Sequence, residues 1–314
     1  MNNTIGNRSL KISIVSPVYK SEKIVDELVK RLSEELSNLT DNYEIILPED
    51  GSGDGSWGQI EKNCEQHKFV KGIKLSRNFG QHYAITAGLS LATGDVIVIM
   101  DSDLQDDPVH IRKLFEEFNK GYDVVFTKRI GRKHSFFKKI TAKIYNTMFS
   151  LFSNKDYDLE VGSMTMISSR VKDEFLRLKD QDRLYIQLLK WVGFRSTYVP
   201  VEHRERFEGS STYSVSRLFM TALQGWTSYS DKLLRLSIYS GLLISMLSIL
   251  ASIIIAVSYF LLEYQPGWPS IIVAILFSTG LILMSIGIAG IYIGKIFEQT
   301  KDRPLFIIEK KINL

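Results

Sequence analysis

The sequence predicts an α/β domain built on a mostly parallel sheet, followed by two membrane-spanning helices. Three observations carry this reading. From residue 11 to residue 127, apolar runs of strand length alternate with amphipathic helical stretches. One of these runs, residues 96–100, is wholly apolar and stops abruptly at Asp101-Ser102-Asp103-Leu104-Gln105-Asp106. Downstream, residues 238–262 and 271–294 carry no charge at all.

In chain order, residues 11–19 read as a buried strand closed by Pro17. Ser21 is placed to cap the next helix, in which Ile24, Leu28, Leu32, Leu36 and Leu39 fall on one stripe. Residues 43–47 and 70–75 read as the second and third strands. A helix is expected from about residue 81 to residue 92, then a strand over 95–100. Pro108 suits the first turn of the following helix, and 122–127 reads as a further strand. In sheets of this kind ligands sit outside the carboxyl ends of the strands. Three polar motifs occupy those ends: Pro17-Val18-Tyr19, Glu49-Asp50-Gly51-Ser52 and Asp101-Ser102-Asp103. Their convergence predicts one site.

The rest of the chain is organised by charge and hydropathy. Residues 1–213 form the polar α/β domain. Within it, residues 133–153 interleave Phe136, Phe137, Ile140, Ile144 and Phe149 with Lys133, Lys138, Lys139 and Lys143. That pattern fits an interfacial amphipathic helix, or equally a helix packed on its own domain with a solvated lysine face. Residues 214–236 place Trp226, Tyr229, Lys232 and Arg235 ahead of the first apolar run, as at a membrane interface. Each apolar run is long enough to cross a hydrocarbon core of about 30 Å. The connector 263–270 lacks Lys and Arg, whereas both outer flanks are basic, so the hairpin (237–294) is expected to have both ends cytoplasmic, including a tail over 295–314. Residues 1–10 are polar, and no cleaved signal peptide is expected. The net charge of +4 is too small to argue for nucleic acid, and none is expected as a partner. Cys64 is the lone cysteine, which excludes an intrachain disulfide and a cysteine metal site.

The chemistry centres on Asp101 and Asp103. Two residues apart at a strand tip, both carboxylates project to one side, a pattern suited to a hard divalent cation such as Mg²⁺ or Mn²⁺ that in turn holds phosphate. Asp103 is the expected direct ligand, Asp101 reaches nucleotide or metal-bound water, and Gln105 adds a neutral oxygen. Asp106 and Asp107 precede Pro108, where helix capping is the expected role. Glu49 and Asp50 can accept hydrogen bonds from a nucleobase or ribose. Arg77, Arg129 and Arg132 pair either with phosphate or with neighbouring carboxylates. The segment 203–213, with Arg204 and Arg206 beside Gly209-Ser210-Ser211, can close over a diphosphate. His82, His110 and His134 have no ligand spacing.

Taken together, these motifs resemble the polyprenyl-phosphate glycosyltransferases of glycosyltransferase family 2, the dolichol-phosphate mannose synthase-like enzymes, and among them bacterial members with two C-terminal transmembrane helices. The matching segments run from 14–19 through Glu49-Asp50-Gly51-Ser52, Arg77-Asn78-Phe79-Gly80, Asp101 to Asp106 and Arg206 to Gly209, ending with Gly290 to Gly294 and Arg303-Pro304. The resemblance implies a Rossmann-like GT-A catalytic domain that uses a nucleotide diphosphate sugar with Mg²⁺ or Mn²⁺. It implies that Pro17, Tyr19, Glu49, Asp50, Arg77 and Asp101 bind the nucleotide and that Asp103 and Gln105 hold the metal. Arg129, Arg132 and Arg206 would face phosphate and acceptor, with Asp101, Asp103 and Arg206 catalytic. The sequence departs from the family pattern at Glu49, where Asp is usual, and at Gly162-Ser163-Met164-Thr165-Met166, which lacks the usual Asp and Arg.

The expected activity is inverting transfer of one sugar, UDP-linked by default, to undecaprenyl phosphate at the cytoplasmic face of a bacterial inner membrane. Its product would serve O-antigen, lipid A or other envelope glycan modification. Relatives of this layout often assemble as homotetramers. Two other readings stand beside it: transfer to a hydroxyl of a lipid-linked glycan, which requires a general base, and an inactive membrane partner that has kept the fold.

Overall fold

The computed structural model describes residues 10–130, 161–202, 232–261 and 267–314. The amphipathic segment 133–153, most of 214–236, and Arg132, Arg204 and Arg206 lie outside the described residues. The chain divides into two compact units.

The first unit is a sheet domain. Its strands are β1 (Ile12–Val15), β2 (Tyr43–Glu49), β3 (Val70–Leu75), β4 (Val96–Ile99), β5 (Val124–Ile130), β6 (Val161–Ser168), β7 (Ser196–Glu202) and β8 (Ile308–Ile312). They lie in the order β7-β5-β6-β4-β1-β2-β3-β8. β1 pairs in parallel with β2 and β4, β2 with β3, and β5 with β7. β6 runs antiparallel between β4 and β5, and β8 runs antiparallel along β3. The sheet is thus parallel at its centre and mixed outside it. Residues 12–15 and 96–99 are buried at every position. Such strands need cover on both faces, which is why they read as apolar runs without alternation.

The helices are α1 (Val25–Ser37), α2 (Ser56–Gln66), α3 (Gln81–Leu91), α4 (His110–Phe118), α5 (Ser169–Arg177) and α6 (Tyr185–Val192). Ile24, Leu28, Leu32, Leu36 and Leu39, the expected stripe, are all buried. Each such side chain contributes about 1.5–3 kcal/mol by leaving water. Ser21 does not cap α1. A turn over 21–24 comes first, and the Ser21 hydroxyl bonds the Tyr19 carbonyl at 3.1 Å and meets Ser102 Oγ at 3.3 Å. A tertiary contact has taken the group that local propensity reserved for the helix.

At the amino ends of the strands, Glu44 is buried beneath donors from four residues. Its carboxylate receives Ser13 Oγ at 2.6 Å, Thr93 N at 2.8 Å, Lys11 Nζ at 2.7 Å and Lys71 Nζ at 2.9 Å. The C-terminal tail, expected to be plain tail, instead returns as edge strand β8. Asn313 Nδ2 fastens its end to the carbonyls of Cys64 (2.6 Å) and Val70 (2.9 Å), and Lys74 pairs with Glu309 at 3.1 Å.

The second unit holds α7 (Lys232–Leu261) and α8 (Trp268–Thr300), which touch each other. Their 30 and 33 residues correspond to about 45 Å and about 50 Å of helix. Leu242, Leu243, Met246, Ile254, Ile275, Leu283, Ile286 and Ile293 are all exposed. Water would not tolerate so much apolar surface, whereas hydrocarbon does. Both helices are long and apolar enough to cross a membrane.

Candidate active site

The strand order reverses between β1 and β4, since β2 and β3 continue on one side of β1 and β6 and β5 lie beyond β4. A crevice forms at such a switch point, beyond the carboxyl ends of the strands. Here it is a cleft of about 290 Å³ lined by Pro17 and Tyr19 after β1, Asp50 after β2, Asn78, Gly80 and Gln81 at the start of α3, and Asp101 and Asp103 after β4. The three motifs expected to converge do so.

Asp50 organises the third wall. Its carboxylate accepts the backbone N–H groups of Phe79 at 2.8 Å and Gly80 at 2.9 Å. Burial raises its pKa above the ordinary carboxylate range, against the pull of those two bonds. Residues 76–80 thereby become a strap across the cleft. Glu49 turns away from the cleft: it is buried and accepts Ser52 N at 2.6 Å and the Ser52 hydroxyl. Arg77 stacks over the Phe79 ring at 4.0 Å and donates to the Asn78 carbonyl. Tyr19 is 46% exposed and offers its ring to the cleft.

Asp101 is gripped more closely than its place at a strand tip predicted. Gln81 Nε2 donates to its Oδ1 at 2.5 Å. Burial raises its pKa to about 6; the Asp103 and Asp106 carboxylates push the same way, while the Ser163 hydroxyl and the Arg129 charge oppose them. A bound cation would lower it again. Asp103 Oδ1 accepts Gln105 N at 3.1 Å, which folds the acidic turn back on itself. Among the described residues no three His, Cys, Asp or Glu side chains form a closed metal cage. Asp101, Asp103 and Gln105 are all hard oxygen donors, an incomplete set that fits a cation whose other ligands are phosphate oxygens and water.

Arg129, at the end of β5, has its Nε buried with no hydrogen-bond acceptor among the described residues, and its charge acts on Asp101. An orphaned guanidinium N–H beside this cleft suits an anionic ligand. Asp107 behaves as expected, its carboxylate accepting Val109 N at 3.1 Å ahead of α4. Asp106 does not: it is 2% exposed and accepts the Ser163 hydroxyl at 2.6 Å. Tyr185 Oη in turn donates to the Ser163 carbonyl at 2.5 Å. His82 packs against Tyr185 with ring centroids 5.7 Å apart, and burial lowers its pKa to about 4, so it is neutral here. Gln81, Asn78, Asp106 and Ser163 were not among the site residues expected. Asn78 and Asp106 lie in the matched segments and Ser163 in the departing one, but nothing local gave them a place in the site; Gln81 simply follows Gly80.

Residues 13–175 match the model of the family described as glycosyl transferase family 2. The chain is 36% identical over 310 residues to the uncharacterised glycosyltransferase YkcC of Bacillus subtilis (strain 168), covering 98% of this chain and 96% of that protein. It is 32% identical over 309 residues to the undecaprenyl-phosphate 4-deoxy-4-formamido-L-arabinose transferase of Klebsiella pneumoniae (strain 342), covering 96% and 94%. Among solved structures, glucosyl-3-phosphoglycerate synthase from Mycobacterium tuberculosis, in complex with Mn²⁺, UDP-glucose and phosphoglyceric acid, superposes with a TM-score of 0.52 at 16% identity. The match covers 73% of this chain and 83% of that one. This likeness is one of fold, the GT-A arrangement.

Proposed function

The chain belongs to glycosyltransferase family 2, and from that premise we propose that it transfers one sugar from a nucleotide diphosphate donor to undecaprenyl phosphate at the inner face of a bacterial cytoplasmic membrane. The observation that carries the reading is the cleft at the switch point. It combines an aromatic ring (Tyr19), a buried acceptor (Asp50) and two carboxylates (Asp101, Asp103) within one cavity of nucleotide size.

Tyr19 and Pro17 give the base an apolar wall, and Asp50 keeps the strap beside it in place. Asp103 and Gln105 are the residues that would hold the cation, with Asp101 beside them. A cation there supplies Lewis-acid stabilisation of the departing diphosphate. Arg129 adds positive charge from β5; the phosphate roles expected of Arg132 and Arg206 fall on residues outside the described ones. A phosphomonoester acceptor is already anionic near neutral pH. Its oxygen attacks C1 of the sugar, the bond from C1 to the diphosphate oxygen breaks, and the electron pair leaves with the nucleoside diphosphate. No proton has to be removed, so no general base is required. Attack opposite the leaving group inverts C1.

The acceptor reading also draws on the Klebsiella relative, whose name specifies undecaprenyl phosphate, and on α7 and α8. β8 follows α8 in the chain yet pairs with β3, which precedes α7. A strand cannot pair across a bilayer, so any crossings between them must be even in number, and a two-helix hairpin agrees with this. The basic flanks support a reading in which the sheet domain and both ends lie on the cytoplasmic side.

Purified protein incubated with undecaprenyl phosphate, Mn²⁺ or Mg²⁺ and a panel of UDP-, GDP- and dTDP-sugars should yield one acid-labile lipid phosphosugar, identified by mass. Absence of lipid product from every donor overturns the proposal. An acid-stable glycosidic product on a lipid-linked glycan would favour a hydroxyl acceptor instead.

A further inference from the structure

We propose that Asp106 and Ser163 are positioning residues that, with Tyr185, clamp the acidic turn 101–106 to the start of β6. By doing so they hold Asp101, Asp103 and Gln105 in the arrangement a cation–diphosphate requires. The inference rests on the reading of the cleft given above and assigns work to residues that no part of that reading uses.

The β4–β6 ladder stops at the pair Ile99–Thr165. Beyond it the chain after β4 has no backbone partner on β6, and an acidic turn left there would be free to splay. The next tie is made by side chains: Ser163 Oγ donates to Asp106 Oδ2 at 2.6 Å. Asp106 is almost wholly withdrawn from water, as a capping carboxylate would not be. A carboxylate gives up hydration of this kind only where a donor replaces it.

Ser163 is itself fixed at its backbone, because Tyr185, buried on α6, donates its hydroxyl to the Ser163 carbonyl at 2.5 Å. The same serine hydroxyl lies against Asp101. Asp101 itself is held from α3 by Gln81.

Between these anchors the turn is strained. Leu104 adopts φ 56°, a left-handed conformation that a side chain with a Cβ rarely takes, and its side chain is buried in the core. Strain of this kind persists where surrounding contacts over-determine the backbone. Here they are the buried Leu104 side chain and the Asp106–Ser163 bond two residues on. Outer residues that orient metal ligands in this way typically change metal affinity or activity by about 10–100-fold when lost.

The experiment uses the full-length protein in detergent and measures Mn²⁺ affinity by calorimetry in the presence of UDP or GDP, with the melting temperature as a control for folding. Asp106→Asn and Ser163→Ala should each weaken Mn²⁺ binding in the presence of nucleotide by about 10-fold or more. The double variant should be no weaker than the weaker single, as expected of two residues acting as one unit. Ser163→Thr, which keeps the hydroxyl, should restore most of the affinity. If Asp106→Asn does not fold, Ser163→Ala, which removes a single oxygen atom, carries the test. Variants that bind Mn²⁺ and nucleotide as the wild type does overturn this inference alone, as do additive effects in the double variant. A wild-type protein that binds neither nucleotide in a metal-dependent way overturns the proposed function and this inference with it.

Discussion

Replacing Gly51 by alanine should cripple nucleotide binding while the equivalent change at Gly53, two residues on, should not. Both glycines have left-handed backbones, with φ of 59° and 70°. An alanine at either position therefore meets the same intrinsic cost, about 1–2 kcal/mol. Their surroundings differ. A Cβ on Gly51 would stand 2.4 Å from the Arg77 carbonyl carbon and 2.5 Å from the Asn78 nitrogen, both backbone atoms, whereas a Cβ on Gly53 meets nothing within 4 Å. Ordinary contact begins near 3.4 Å, so the strap must retreat by roughly 1 Å or the Gly51 turn must move as far. Asp50 bonds that strap at 2.8 and 2.9 Å, and a shift of this size takes both bonds beyond useful length. Each is a bond to a charged group worth about 1.5–3 kcal/mol. Gly51→Ala should therefore lose about 3–6 kcal/mol at the strap beyond the backbone cost it shares with Gly53→Ala, and its Mn²⁺-dependent affinity for the cognate nucleotide should drop by at least about 100-fold. Calorimetric titration of both variants, with their melting temperatures, checks this. Equal affinities in Gly51→Ala and Gly53→Ala would refute the reasoning, because they differ in the strap contact alone.

Two further outcomes are expected. Asp103→Asn should abolish the dependence of nucleotide affinity on Mn²⁺ while leaving the metal-independent part of binding within about threefold of wild type, since the amide removes a charge without removing volume; a titration of UDP with and without Mn²⁺ reads both quantities. Glu44→Gln should lower the melting temperature at pH 7 without altering nucleotide affinity. Burial opposes ionisation of Glu44, but bonds from Lys11, Ser13, Lys71 and Thr93 outweigh it and depress the pKa from 4.5 to about 2. At about 1.36 kcal/mol per tenfold change in proton affinity, that is about 3 kcal/mol of stability. A depressed carboxylate contributes in full above about pH 4.5 and loses its contribution as the pH falls through about 2. The gap between wild type and variant in thermal melts should accordingly narrow from pH 7 to pH 3, and a gap that does not change with pH would contradict the assignment.

What could be read from the chain was whatever a local pattern encodes. The run 96–100 breaks from apolar to acidic within one residue, which placed Asp101 and Asp103 at a strand end; the proline turn closing 11–19 and the break after residue 47 placed Pro17 and Asp50 in the same way. The α1 stripe and the two uncharged runs were equally local. What escaped was pairing at long range. β6 carries no signal that it runs antiparallel between β4 and β5, because register belongs to the pair and not to either strand. β8 reads as a tail because Glu309, Lys310 and Lys311 are the exposed middle of an edge strand, where charge is a protection against further pairing. The Asp106–Ser163 bond joins residues 57 apart, and no spacing rule spans that distance. In each case a plausible local role, capping or solvation, stood in for a partner the fold supplies later.

The incompleteness of the acidic site is part of how it can work. A cage that surrounded a cation with protein ligands would hold it in the absence of donor, and the diphosphate would then have to displace one of those ligands. On the proposed reading, two carboxylates and one amide leave positions for substrate and water to fill. Cation and nucleotide then strengthen each other's binding by the same factor, because the coupling free energy between two ligands is reciprocal. The charge balance leads the same way. Burial first, and then the crowding of Asp103 and Asp106 on one turn, raise the pKa of Asp101, and a divalent cation would relieve that repulsion while offering its own charge to the phosphates. The turn is therefore least comfortable without a cation, and its ties to Ser163 and Gln81 keep that discomfort from being released by unfolding of the turn. A turn that relaxed when empty would have to be rebuilt each time a donor arrived; one held in place meets the cation and diphosphate with its ligands already set.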